Sequence, residues 1–167
     1  MAINFSHFSH FGDFGLIFDR TQADIDYALS LERAGIHTDE NLRGAYNSSD
    51  KNRVAAALNA ITDTLRNNGY QHFARVRADW REGDIVGAGD NARVLEMLRE
   101  ARRVLPQISR AVPGSLDNLG WQAANDVERI LFDMFGNYDM IADTWLWCGE
   151  GFAGYDFEEH RLDDFWV

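Results

Sequence analysis

The chain holds one cysteine, Cys148, and two prolines, Pro106 and Pro113. A lone thiol excludes an internal disulfide framework and is compatible with folding in a reducing cytosol. Scarce proline permits long helices through most of the chain. No apolar run approaches the roughly 20 residues that span a bilayer, so no membrane partner is expected. The N-terminal residues lack a basic start followed by a continuous apolar core. No secretory signal is therefore expected, and such a chain would leave its cell by lysis or within a particle. Positive charge is also short, with 16 Lys and Arg against 27 Asp and Glu and a formal net charge of −11. Nucleic-acid binders present a basic face, so nucleic acid is disfavoured as a partner. There is no G-x-S-x-G, no H-E-x-x-H, no glycine-rich phosphate loop and no Cys-x-x-Cys. Without those constellations neither an enzyme nor a cofactor is expected.

The 167 residues, 46 % hydrophobic and 26 % charged, suit one domain with a sizeable core. The clearest pattern begins at Tyr46. Ser48 and Ser49 can cap a helix there, and Asp50 sets negative charge against its first amides. Val54, Leu58, Ile61 and Leu65 then recur on one face. The template returns as Asp90, Arg93, Val94, Leu98 and Leu105, and again as Asp126, Arg129, Ile130, Met134 and Ile141. Three such copies predict three similar helices sharing a core. The Asp50–Arg53, Asp90–Arg93 and Asp126–Arg129 pairs read as structural ion pairs within each helix, or as Arg bridges to a neighbouring helix or loop.

Thr21 and Asp24 approximate a capping box for a helix ending at Gly35, and residues 36–47 form a linker. Residues 70–80 fit a short helix or an irregular segment better than a strand. The third helix runs from about Asp90 to Leu105, where Pro106 limits it. A fourth runs from Leu119–Gln122 toward Trp147, with Gly136 as a bend or break. The expected fold is all-α: a small bundle of about four main helices over residues 19–147. An aromatic arm (1–18) precedes it and an extended, acidic, aromatic segment (148–167) follows.

Aromatic residues crowd the two ends. Phe5, Phe8, Phe11 and Phe14 recur every third position, an arm that docks either on its own domain or on a neighbouring subunit. His7 and His10 lack further ligands nearby, so no metal site is expected. Trp145 and Trp147, two apart, suit a helix end wedged between surfaces. Phe152, Tyr155, Phe157, Phe165 and Trp166 suit a segment lying in a groove of this chain or another. The cluster Glu158, Glu159, His160, Asp163 and Asp164 matches no calcium loop and reads as a solvated or interface-facing charge run. Cys148 has no basic partner in sequence and reads as an inert thiol.

Three segments carry a family resemblance. Gly44 to Val54, GAYNSSDKNRV, resembles the G-A-Y-N-x-x-D-x-N-R-V helix start of helical structural proteins from tailed bacteriophages and prophages of Gram-positive bacteria. Leu119 to Met134, LGWQAANDVERILFDM, is similar to a later L-x-x-x-x-A-N-D-I-E-x-I-L helix there. Thr144 to Tyr155, TWLWCGEGFAGY, resembles their closing W-x-x-[SC]-G-E-x-x-[AS]-G-E segment, although Tyr155 stands where those proteins carry an acid. The likeness spans roughly residues 19–155. It implies a non-enzymatic virion component of a tail or baseplate, made in the bacterial host cytoplasm. Its partners would be other virion proteins and further copies of itself, a trimer if fibres attach. Three other readings stand beside it: a soluble adaptor that binds a host factor through the acidic tail, a capsid-associated protein, and a metal-dependent hydrolase using residues 156–164.

Overall fold

The computed structural model describes residues 14–36, 43, 46–67, 69–70, 72–105, 110–117 and 119–153, with 138–153 by backbone alone. Four helices follow one another among the described residues: α1 (Gln22–Arg33), α2 (Ser48–Asn67), α3 (Ala88–Val104) and α4 (Trp121–Ala153). No strand occurs among the described residues. The fold is the expected small all-α bundle.

α2 is the central helix and packs against both α3 and α4. The repeated template explains why. Val54, Leu58 and Leu65 of α2, Leu98 and Leu105 at the end of α3, and Ile130 and Met134 of α4 are all buried in one core, with Val94 packed against it. α4 widens its stripe with Val127, Leu131 and Phe135, each at most 1 % exposed. α1 differs, because it buries none of its residues. Tyr27 and Leu29 stand 60 % and 40 % exposed on it.

The starts of α1, α2 and α3 share one device. Asp24, Asp50 and Asp90 each sit three residues past the residue that caps their helix. Each carboxylate reaches back to that residue's N–H: Thr21 at 2.7 Å, Asn47 at 3.1 Å and Gly87 at 3.0 Å. The charge also suits the positive end of the helix dipole. The cap of α2 is Asn47, not Ser48 or Ser49. Its Oδ1 accepts from the N–H groups of Ser49 (3.0 Å) and Asp50 (3.1 Å). A longer side chain one residue earlier reaches amides that the serines, already inside the helix, cannot. α1 ends as expected at Gly35, whose φ of +68° side-chain-bearing residues seldom adopt. There the Ile36 N–H donates to Leu31 O at 3.0 Å.

One expectation changes and two open ones are narrowed. Residues 73–80 form neither helix nor strand. They run irregularly along α2 while Phe73, Val76 and Trp80 enter the core. α4 passes through Gly136 without a break and continues through Cys148, Gly149 and Gly151 to Ala153, so the C-terminal segment is not extended from Cys148. One glycine costs a helix about 1 kcal/mol, and an established helix adds a hydrogen bond with every residue. Finally, residues 14–18, assigned by sequence to the arm, lie against the bundle. Phe14 stacks on Phe135 with ring centroids 5.3 Å apart, and Phe18 meets Phe132 at 5.2 Å.

Candidate functional site

The most concentrated chemistry in the described residues is a buried network of four charges. Glu128 lies on the apolar stripe of α4 between Val127 and Leu131 and is fully buried. A carboxylate there is tolerable only when its oxygens are saturated with donors. Its Oε1 accepts from Arg20 Nη2 at 2.7 Å and Arg53 Nη2 at 3.0 Å. Its Oε2 accepts from Arg53 Nε at 3.1 Å and from the Ile17 N–H. Asp50 supplies the second acid. Its Oδ1 accepts from Arg20 Nη2 at 2.8 Å and from Arg53 Nη2, while its Oδ2 caps α2. Two guanidinium groups and two carboxylates leave the cluster neutral. It joins the 14–20 segment, the start of α2 and the second turn of α4.

Arg20 enters this socket as a plug. Its Nη1 donates to its own segment at Ile17 O, 2.6 Å away. Its backbone is gripped by Asn125 of α4, whose Nδ2 donates to Arg20 O (2.9 Å) and whose Oδ1 accepts from Arg20 N–H (3.1 Å). Among the described residues, Arg20 Nε is the buried side-chain polar atom left without a partner. The Tyr46 ring lies 5.9 Å from the Arg20 guanidinium. Burial pushes the Tyr46 hydroxyl well above the ordinary tyrosine range, and the negative charges of Glu128 and Asp50 add to the effect. Burial works against the charge of Arg53, but the Glu128 and Asp50 carboxylates outweigh it and hold the guanidinium more firmly protonated. The four carboxylate oxygens and four of the six guanidinium nitrogens are committed to protein partners. The cluster is therefore suited to holding elements together rather than to moving protons.

Asn52 and Asn59 repeat the Asn125 grip on the irregular 73–80 segment. Asn59 Nδ2 donates to Val76 O and its Oδ1 accepts from Val76 N–H, both at 2.9 Å. Asn52 does the same for Trp80, at 2.9 and 2.7 Å. Seven residues separate the two asparagines, so both face the same side of α2.

Of the three expected Asp–Arg pairs, one forms. Asp50 and Arg53 pair inside the buried network. Asp90 is committed to capping α3, and Arg93 has no carboxylate partner among the described residues. Asp126 pairs with Arg110 at 2.6 Å instead of Arg129. α4 begins five residues ahead of Asp126, so that aspartate has no helix start to cap and turns outward. Arg129 lies 3.6 Å from Asp133 and spreads over the Phe18 and Phe132 rings at 4.7 and 5.4 Å.

Among the residues expected at interfaces, Phe14 packs on its own chain. Phe5, Phe8, Phe11, Tyr155, Phe157, Phe165 and Trp166 lie outside the described residues, as does the acidic cluster from Glu158 to Asp164. Trp145, Trp147 and Phe152 ride on the helical backbone of α4. Among the described residues no group of three or more His, Cys, Asp or Glu is arranged to hold a metal ion. No described helix is long and apolar enough to cross a membrane.

Sequence reading missed Arg20, Glu128 and the three asparagines. Two signals were present. Glu128 falls four residues after Ala124 and three before Leu131, squarely on an apolar stripe. Asparagine is also a poor helix former, so its repeated use inside helices points to side-chain work. No protein-family model, curated protein or solved structure matches the chain.

Proposed function

We propose that this protein is a non-enzymatic structural component of a phage-like particle, placed in the tail or baseplate. It is present in several copies and is joined to its neighbours through its two ends. It is made in the bacterial host cytoplasm and carried in the virion, and fibre attachment is one site where such a bundle serves. The reading rests on three short segments that resemble phage structural proteins in matching order. One observation supports it. Tyr46, Asn47, Asp50, Asn52, Arg53, Asn125 and Glu128, which belong to two of those segments, all act in the buried network or the asparagine grips. The quoted motifs therefore correspond to architectural parts, as expected of a likeness between scaffolds.

The test is incorporation. Particles from the source bacterium should contain the full-length protein by mass spectrometry. A chain lacking residues 1–13 keeps every contact described above and should fold, but should be absent from particles. Normal incorporation of the shortened chain would remove the arm from the assembly scheme. A protein missing from particles but recovered with host proteins from lysate would be an adaptor instead.

A further inference from the structure

We infer that α2 and α4 form a recognition site for an arginine-bearing aromatic peptide, and that residues 14–20 are its detachable resident ligand. The site is built without them. α2 and α4 pack on each other. Asp50 Oδ2 is held by the Asn47 N–H, and Arg53 bonds both Asp50 and Glu128. Asn125 stands three residues before Glu128 on α4, so the two share a face. What the site reads is short and local. Asn125 takes the N–H and the C=O of Arg20, and Glu128 takes the Ile17 N–H. The two acids together take the Arg20 guanidinium. Phe135 receives the Phe14 ring and Phe132 the Phe18 ring. Backbone bonds for affinity and side-chain pockets for choice are the means by which grooves hold peptides. The sequence recognised is FGLIFDR, with rings six and two residues before the arginine.

The segment is a guest in the fold. The core cluster draws on α2, α3 and α4 with Phe73, Val76 and Leu105, while Phe14 and Leu16 pack against it from outside. The helix that follows the segment, α1, buries none of its residues. Its hydrogen bond to α4, from Trp121 Nε1 to Gln22 Oε1 at 3.1 Å, is exposed. Nothing there holds the segment down once Arg20 lets go. The closed form also carries an unmet donor, because Arg20 is 3 % exposed and its Nε has no partner. Lifting the segment gives that donor water. It rehydrates the other charges of the cluster as well, so opening strands none of them, whereas deleting one charge of the closed cluster would. Residues 14–20 therefore leave by local opening, while the core stays intact. A second peptide of the same sequence binds the vacated site, at an apparent affinity set by the open fraction. The inference does not rest on the particle reading.

The test uses the full-length chain and a fluorescent peptide of residues 14–22, FGLIFDRTQ. In the R20A chain the resident segment has lost its anchor, so the site stands open. By fluorescence anisotropy that chain should bind the peptide at least roughly tenfold more tightly than wild type does. The same peptide carrying R20A should bind it at least roughly tenfold more weakly, and so should the R20A/E128Q chain bind the unaltered peptide. The peptide should also raise the Tm of the R20A chain. Amide hydrogen exchange on wild type gives a second reading that needs no variant. The Ile17 and Arg20 N–H groups should exchange through a common opening, at least roughly tenfold less protected than Leu58 and Ile130. If R20A fails to fold by circular dichroism, this exchange reading decides. Equal peptide binding by wild type and R20A, no loss with the R20A peptide, or Ile17 and Arg20 exchanging only with Leu58 in global unfolding would each overturn the inference.

Discussion

Replacing Glu128 by alanine removes the acceptor on which three parts of the molecule converge. The carboxylate takes hydrogen bonds from two arginines and from the Ile17 N–H. Without it, Arg20 and Arg53 share a single carboxylate, Asp50, and a net positive charge is left where Arg20 is 3 % exposed. Breaking a buried pair on one side costs about 3–5 kcal/mol. In a chain of this length each kcal/mol lowers Tm by about 2–4 °C, so a loss of about 4 kcal/mol lowers it by roughly 8–16 °C. The control is the charge-balanced variant R53M/E128L, which leaves Arg20 with Asp50. Its cost should fall below the sum of the two single changes by about 1–3 kcal/mol. Urea and thermal unfolding followed by circular dichroism measure both quantities. Amide hydrogen exchange adds a local readout, in which the Ile17 N–H should lose protection in E128A before the core amide of Leu58 does. A cost under about 1 kcal/mol, the level of an exposed ion pair, or strict additivity in the cycle would refute the idea that this cluster ties the 14–20 segment to the bundle.

Asn59→Asp removes the donor to Val76 O and sets a carboxylate against that carbonyl. It should cost about 1–3 kcal/mol and deprotect the Val76 amide in hydrogen exchange. Tyr46 has its hydroxyl pKa raised by folding, so its contribution is complete below about pH 10, the ordinary tyrosine value, and is lost as pH climbs beyond it. Wild type should therefore lose stability more steeply above pH 10 than Tyr46→Phe, as followed by unfolding midpoints. Asp24 has its pKa lowered by the Thr21 side-chain bond first and the Thr21 backbone bond second, so its support of α1 is present above the ordinary carboxylate value of 3.8 and lost as pH falls through its folded value. Because α1 buries none of its residues, Thr21→Ala should reduce exchange protection in Gln22–Arg33 and leave the global Tm almost unchanged.

Helix positions and core faces were legible because they follow from periodicity and from local start and stop signals. The template aliphatics from Val54 to Met134 fall where their spacing places them, and Thr21, Asp24 and Gly35 bound α1 as written. What periodicity cannot convey is which polar residue meets which across the chain. Glu128 and Arg20 are 108 residues apart, and nothing local joins them. The same limit explains why residues 70–80 stayed ambiguous: their partners are asparagine side chains on α2. The repeat also misled where it looked most regular. Its aspartate caps α2 and α3 but stands well inside α4, so equal spacing gave unequal roles. Gly136 was read as a bend or break and the glycine-bearing segment from Cys148 as extended, although single weak residues do not end a helix already under way.

The asparagine grips have a consequence for how this protein meets others. A side-chain amide offers one donor and one acceptor at the spacing of a peptide group, so it satisfies a stretch of irregular backbone as a neighbouring strand would. Unlike a strand, it serves a single residue and then stops, leaving no row of open N–H and C=O groups to recruit a further chain. Two non-helical stretches are thereby stitched to an all-helical body without creating a sheet edge. At Arg20, Val76 and Trp80, contacts with other molecules are then left to side chains, which distinguish one partner from another far better than exposed backbone does.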